Sequence, residues 1–396
     1  MPRIAHPRVA TSLGGIVLLC LLAVPVQVIR DTLALADRSE LMDRERWLYA
    51  ELRNEADRLL HNHEIARDHH RVYAVDLAQL AIYAALAEDR AMYDPLRALM
   101  LEHLVIDTPV DDPYAHGMVA WGYTADPDDA TRRVEPLDAS GTTEALRVAE
   151  ALILGVDAFG HDDEPVVRDI LHAYARHQTI EGDTWYVRNY FNLGTRGFAT
   201  NCFLIDLDPD LVARLAERFD DDGLRELADR KAALIERCRV AAPAGHGLLH
   251  QMIRPEIATA MGDRYVVYSA NGHEQTNLTL TVAERCVTTN PDAARAALDF
   301  ALDRLPRLYL HYDTATGRPA RGFWATAHGG PETLAPLLRL AVHLDDPDAV
   351  EAILPELLRV ADELLESDYT VKLYATGETL WALELARQYL DRPPSR

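Results

Sequence analysis

Helices that are apolar on nearly every side recur along this chain, and they constrain its fold more than any other feature. The segment VYAVDLAQLAIYAALAE, residues 72–88, is typical of them. Six such segments begin near residues 72, 142, 191, 273, 331 and 377, and each is paired with a more polar, amphipathic helix. A helix that is apolar nearly all round has to be covered on all sides. An inner ring of six helices inside an outer ring meets that requirement.

The spacing between the apolar segments is uneven, so the architecture repeats while the sequence does not. The alternation resembles the (α/α)6 toroid of the six-hairpin glycosidase superfamily, and the resemblance extends over about residues 42–392. It depends on the number and alternation of helices. We therefore expect an all-α toroid of about twelve major helices. An irregular helical solenoid is the alternative.

Three segments interrupt the helical pattern. The polar stretch 107–137 contains four prolines, and a loop of this length inside a compact domain is usually functional. Residues 265–268 and 307–312 have the composition of short strands. Both lie just before apolar helices, so we predict small β-hairpins in the loops of the toroid.

The amino terminus indicates export. Residues 9–29 carry no charge. A helix of this length is just long enough to cross a hydrocarbon core of about 30 Å. Arg3 and Arg8 precede this segment and favour a cytoplasmic N-terminus. It is either a membrane anchor or a signal peptide cleaved after Ala36. In both cases residues 1–36 form the targeting segment, and residues 37–396 form an extracytoplasmic domain.

Charge and motifs exclude several classes of function. The formal net charge is −23, which opposes binding to a nucleic-acid backbone. Nucleotide-binding and serine-hydrolase motifs are missing, and no cofactor is expected. His61, His63, Glu64, His69 and His70 lie close in sequence, but a solvated turn explains them better than a metal site. Cys202, Cys238 and Cys286 are expected to be buried thiols, and a disulfide between one pair of them is the alternative.

The residues with catalytic chemistry cluster just before the apolar helices. Inner helices of an alternating ring run parallel, so their N-terminal ends gather at one rim. Four carboxylates in these segments are candidate catalytic residues: Asp138, Glu144, Glu274 and Glu378. Neighbouring aromatic, histidine and arginine side chains are candidate substrate-binding residues: Tyr190, Arg196, His273, Arg321, Trp324, His328 and Tyr374.

Paired carboxylates beside aromatic rings are suited to general acid–base work at a glycosidic bond. The acid needs a raised pKa, which requires burial, whereas a carboxylate at a helix N-terminus is better suited as base or nucleophile. We therefore expect a glycoside hydrolase acting on a polysaccharide, and the arginines favour an acidic one. A uronic-acid epimerase or lyase, and a non-catalytic glycan-binding toroid, are the alternatives. Helix capping is the competing explanation for each glutamate.

Overall fold

The computed structural model describes residues 50–55, 71–107, 115–126, 129–181, 184–240, 247–253, 267–268, 273–320, 329–366 and 372–391. Residues 50–55 are helical. Eleven further α-helices follow in these ranges: α1 Ala74–Leu86, α2 Arg90–Leu99, α3 Thr142–Phe159, α4 Glu164–Ala175, α5 Pro209–Phe219, α6 Asp222–Arg237, α7 Thr276–Glu284, α8 Pro291–Leu302, α9 Pro331–His343, α10 Pro347–Glu366 and α11 Lys372–Leu390.

The helices form two concentric rings. In the inner ring α1 packs on α3. The next position is taken by a 3₁₀ turn, Leu204–Asp206, which contacts both α3 and α7 and precedes α5 in the chain. Helix α7 then packs on α9, α9 on α11, and α11 on α1, which closes the ring. The outer helices α2, α4, α8 and α10 each pack on the inner helix that precedes them, and α6 packs on α5. The predicted (α/α)6 toroid is confirmed by this arrangement.

Burial follows from the ring. Nearly every apolar side chain of α1, α3, α9 and α11 is buried, because each inner helix has neighbours on both sides and an outer helix behind it. The outer helices bury one face only, so their sequences alternate between apolar and charged residues.

Short antiparallel strands cover one end of the toroid. They form five small sheets from β1 Arg71–Tyr73, β2 Gly122–Asp126, β3 Asp129–Pro136, β4 Ala139–Gly141, β5 Gln178–Glu181, β6 Thr184–Val187, β7 Tyr190–Asn192, β8 Gly197–Phe198, β9 Cys202–Phe203, β10 Met252–Ile253, β11 Val267–Tyr268, β12 His273–Gln275 and β13 His311–Asp313. Strands β1, β4 and β12 run directly into inner helices α1, α3 and α7. The strands expected near 265 and 310 are present as β11 and β13.

Two predictions from the sequence were wrong. Residues 191–207 were expected to form an inner helix, but they form β7, β8, β9 and the 3₁₀ turn. Gly194 and Gly197 interrupt this stretch. Phe191 pairs with Phe198 across two strands, and their ring centroids lie 4.7 Å apart. The polar stretch 107–137 was expected to be a loop, and it contains the β2–β3 pair.

The helical stretch 209–237 is divided in two by its aspartates. The break lies between α5 and α6, where Asp220 takes a left-handed conformation with φ of 51°. Asp221 then caps α6 by accepting a hydrogen bond from the Leu224 N–H at 3.0 Å.

Cys202, Cys238 and Cys286 are buried free thiols. Within the described ranges, no helix combines the length and the apolar character that crossing a membrane requires. The expected targeting segment, residues 1–36, lies outside those ranges.

Candidate active site

The N-terminal ends of the inner helices meet at the rim that carries the small sheets. Asp76 and Glu144 lie in the first turns of α1 and α3, and Tyr374 lies in the first turn of α11. Glu274 lies on β12, directly before α7. The parallel inner helices thus bring residues that are nearly 300 positions apart in sequence to one rim.

Asp76 has the properties expected of a general acid, and the sequence prediction missed it. Its side chain is partly exposed, and burial raises its pKa to about 7. This desolvation outweighs the helix N-terminus, which would favour the charged carboxylate. A signal was present in the sequence, because Asp76 is the only charged residue between Val72 and Glu88.

Two aromatic rings form a pair at the start of the helix that carries Asp76. Tyr73 occupies the N-cap position of α1, and its ring lies 5.5 Å from the ring of Trp121. The backbone holds this pair, since the Ala74 N–H donates to the Trp121 carbonyl at 3.0 Å. Trp121 is 36% exposed. The pair therefore offers an apolar ring face at the start of the helix that carries a protonatable carboxyl, which is an arrangement suited to a sugar ring.

Glu144 and Asp206 form a second carboxyl cluster. The Thr143 hydroxyl donates to Asp206 Oδ1 at 2.5 Å, and the Phe203 N–H donates to Asp206 Oδ2 at 3.2 Å. Burial raises the pKa of Asp206 to about 7, and the nearby charge of Glu144 adds to this rise. Burial also raises the pKa of Glu144, although the N–H of its own residue partly offsets it.

The shape of this cluster depends on Gly141. A Cβ at that position would lie 1.7 Å from Glu144 Oε2, so the glutamate carboxyl occupies the space that the glycine leaves. Asp206 was not among the residues predicted from sequence, because residues 191–207 were taken for a helix.

Glu274 is held inside the protein by a histidine. It is fully buried, and its Oε1 lies 2.9 Å from Nδ1 of His250, whose side chain is 21% exposed. Burial raises the pKa of Glu274, while His250 and the Gln251 N–H act in the opposite direction. His250 was also missed by sequence reasoning, since no helical or strand pattern singles it out.

Of the other predicted residues of the rim, three are exposed, and His273 is partly buried. Asp138 is exposed, and its Oδ2 accepts a hydrogen bond from the Asn192 amide at 3.4 Å. Tyr190 is 41% exposed and pairs with Gly141 in the β4–β7 register. Arg196 is exposed in the turn after β7. His273 Nδ1 lies 4.0 Å from Asp313 Oδ2.

Glu378 lies in the interior, away from the carboxyls of the rim. Its two oxygens accept hydrogen bonds from Gln79 Nε2 at 2.5 Å and from Arg339 Nη2 at 2.6 Å. Arg339 also binds both oxygens of Glu284 and lies over the Trp381 ring. A buried carboxyl whose two oxygens are both occupied by protein donors has no oxygen left for a substrate, so we assign Glu378 to the core of the toroid.

Three predicted binding residues, Arg321, Trp324 and His328, lie outside the described ranges. Within those ranges, no group of three or more side chains has the arrangement of a metal site.

Solved structures of similar fold come from carbohydrate-active enzymes. An α-amylase from Clostridium perfringens has 14% identity and a TM-score of 0.60, with 79% of this chain and 87% of that chain covered. An endo-1,4-D-glucanase from Vibrio fischeri has 16% identity and a TM-score of 0.58, with coverage of 82% and 89%. A mutant of Rex8A from Paenibacillus barcinonensis, in complex with an arabinofuranosyl-xylotetraose, has 14% identity and a TM-score of 0.55, with coverage of 87% and 93%.

At such low identity these similarities show the fold alone, which is an (α/α)6 toroid. The resemblance inferred from helix number and alternation is thereby confirmed. No protein-family profile matches the chain, and no curated protein is similar to it in sequence.

Proposed function

We propose that this protein is a glycoside hydrolase in which Asp76 is the general acid. The observation that carries the proposal is the state of the Asp76 carboxyl. It is partly exposed, it has a pKa raised to about 7, and it lies in the first turn of the helix that begins at Tyr73, whose ring pairs with Trp121. A carboxyl that is still protonated near neutral pH can give its proton to the leaving oxygen of a glycosidic bond.

The Glu144–Asp206 cluster has a different role in this proposal. Burial raises the pKa of both carboxyls, which favours the protonated form of Glu144, and this form can donate a hydrogen bond to a sugar hydroxyl. Asp206 is 2% exposed and acts on Glu144 through charge and through Thr143. We assign Glu144 to substrate binding and Asp206 to its positioning.

The proposed substrate is a polysaccharide or a long oligosaccharide. The exposed rings of Trp121 and Tyr190 and the exposed Arg196 lie on rim strands and turns outside the inner ring, where an extended chain can contact them. Arginine and the gathered helix N-termini favour an acidic glycan. The similar structures include an amylase, a glucanase and a xylotetraose complex, so their fold does not select one sugar.

A panel of acidic and neutral polysaccharides, assayed for new reducing ends, tests the activity. Asp76→Asn then tests the acid. We expect turnover of polysaccharide to fall about a hundredfold or more. Aryl glycosides with activated leaving groups need no proton, so their turnover should change far less. Asp220→Asn is the matched control, because its side chain is 97% exposed on the outer surface. Equal losses on both substrate types would contradict the role of Asp76.

The same panel separates the alternatives. A lyase or epimerase needs a base for the C5 proton of a uronic acid. Tyr374 is a poor choice for it, because burial and the charge of Glu378 raise its pKa. Unsaturated products that absorb in the ultraviolet would nevertheless identify a lyase. Binding without any turnover would identify a glycan-binding toroid.

A further inference from the structure

The strand-like segment 248–253 places a histidine at the rim and fixes its backbone on both sides. The His250 N–H donates to the Cys238 carbonyl at 2.9 Å, and the Leu249 N–H donates to the Thr279 hydroxyl at 3.3 Å. On the other side, the backbone carbonyl of Gln251 accepts a hydrogen bond from the Leu204 N–H at 2.9 Å. The side-chain amide of Gln251 donates to the Gln275 backbone carbonyl at 3.2 Å. His250 is thus held between the 3₁₀ turn and the start of α7.

The Glu274 carboxylate can act on a substrate only through this histidine. Glu274 is 0% exposed, so neither a sugar nor a bulk water molecule reaches it directly. Its contact with His250 Nδ1 at 2.9 Å is a charge-assisted hydrogen bond, in which Nδ1–H donates to the carboxylate. With the proton on Nδ1, the lone pair of Nε2 is available to accept another one.

The described residues give Nε2 of His250 no hydrogen-bond partner, and the side chain is 21% exposed. A carboxylate that orients a histidine and fixes its tautomer is the arrangement that makes imidazole an effective general base.

The position of this pair in the ring complements that of Asp76. Going round the inner ring from α1, the order is α1, α3, the 3₁₀ turn, α7, α9 and α11. Asp76 lies in the first turn of α1, which is the first position, and Glu274 directly precedes α7, which is the fourth. The first and fourth of six positions face each other across the mouth. An inverting hydrolysis likewise needs its proton donor and its base on opposite sides of the sugar, with a water molecule on the side of the base.

We propose that His250 is the general base of the hydrolysis and that Glu274 is its positioning residue. This inference rests on the proposed function. In the step, Nε2 of His250 takes one proton from a water molecule while the water oxygen bonds to the anomeric carbon. The bond from that carbon to the leaving oxygen breaks, and this oxygen takes the proton of Asp76. The products are a sugar of inverted configuration and an alcohol, with imidazolium at His250 and carboxylate at Asp76. Proton exchange with solvent restores both groups.

Two variants test the base. In His250→Ala we expect kcat to fall about a hundredfold or more, with KM nearly unchanged, and imidazole added to the buffer should restore part of the rate. The loss should be as large on aryl glycosides with activated leaving groups, which separates this residue from Asp76. In Glu274→Gln the amide donates to Nδ1, the ring proton moves to Nε2, and kcat should fall although the shape is kept.

A matched control is available on the outer surface. His172 Nε2 lies 3.3 Å from Asp221, and the His172 side chain is 60% exposed. His172→Ala removes a histidine from a carboxylate pair of the same kind, and it should leave kcat within about twofold of the unchanged protein. Full activity of His250→Ala on every substrate that the protein cleaves would overturn the proposal.

The pair can also be tested without a substrate. Long-range nitrogen–proton NMR of the full chain reports which ring nitrogen of each histidine carries the proton. We expect His250 to carry it on Nδ1 in the unchanged protein and on Nε2 in Glu274→Gln. A proton on Nε2 in the unchanged protein would overturn the role of His250 even if no glycan in the panel is cleaved. A proton on Nδ1 together with an inactive panel would instead count against the hydrolase.

Discussion

At the scale of single residues, burial of carboxyls is the main effect. Asp206 is 2% exposed and its pKa is raised from 3.8 to about 7, so the folded protein binds a proton that the unfolded chain releases. The stability that this proton confers is present at low pH and is lost as the pH rises from about 4 towards 7.

Asp206→Asn should remove that dependence, because the amide imitates the protonated carboxyl. Its nitrogen can donate to the Thr143 hydroxyl and its oxygen can accept from the Phe203 N–H. We expect the variant to be more stable than the unchanged protein at pH 8 by about 1–4 kcal/mol, and nearly equal at pH 4. Urea unfolding at the two values measures this. Asp220→Asn is the exposed control and should show no such pH-dependent gain; a variant that is less stable at pH 8 would contradict the argument.

The buried ion pairs of Arg339 should have the opposite effect, because breaking them should lower the free energy of unfolding. Arg339 is 0% exposed and pairs with both Glu284 and Glu378, so Arg339→Met leaves Glu378 without its cation and Glu284 with only the longer contacts to Arg147 and Arg285. We expect a loss of about 3–5 kcal/mol in the free energy of unfolding. Arg359→Met, which breaks the exposed pairs with Glu356 and Glu363, should cost about 1 kcal/mol or less. Equal losses in chemical denaturation would show that the network adds nothing.

At the scale of elements, the turn between β4 and α3 decides where Glu144 lies. Gly141→Ala would place a methyl group 1.7 Å from the present position of Glu144 Oε2, so the carboxyl has to move. We expect KM to rise about tenfold or more, since the displaced carboxyl loses its hydrogen bond to the substrate. The backbone itself should not be strained, because the φ of −102° at Gly141 is also accessible to alanine.

Gly194→Ala is the control for this change. It lies on the turn after β7, and its new Cβ would make only an ordinary contact, 3.5 Å from Asn192 Oδ1. Unchanged kinetics in Gly141→Ala would remove Glu144 from the substrate-binding site.

At the scale of the whole molecule, we propose that the toroid works outside the cytoplasm. The basis is the uncharged stretch 9–29 after Arg3 and Arg8. A reporter that is active only in the cytoplasm, fused to the C-terminus, should be inactive, and a reporter that requires export should be active. Deleting residues 1–36 should reverse both results. Strong cytoplasmic activity of the full-length fusion would contradict export.

The sequence by itself determined the architecture. Helix number, alternation and the common rim follow from periodic burial, because an apolar helix such as α1 has to be surrounded wherever it occurs. The same pattern failed at residues 191–207, where Gly194 and Gly197 break an apolar stretch into strands. Burial predicts that a segment lies inside, but its apolar residues alone do not distinguish a helix from short strands.

The chemistry of the site was decided by the tertiary structure. Glu144 and Glu274 were found from their places before inner helices, yet so was Glu378, which the fold pairs with Arg339 in the core. Asp76, Asp206 and His250 were missed, because their properties arise from neighbours that are distant in sequence. A carboxyl's pKa depends on the water and charges within a few ångströms of it, and only the folded chain determines which groups those are.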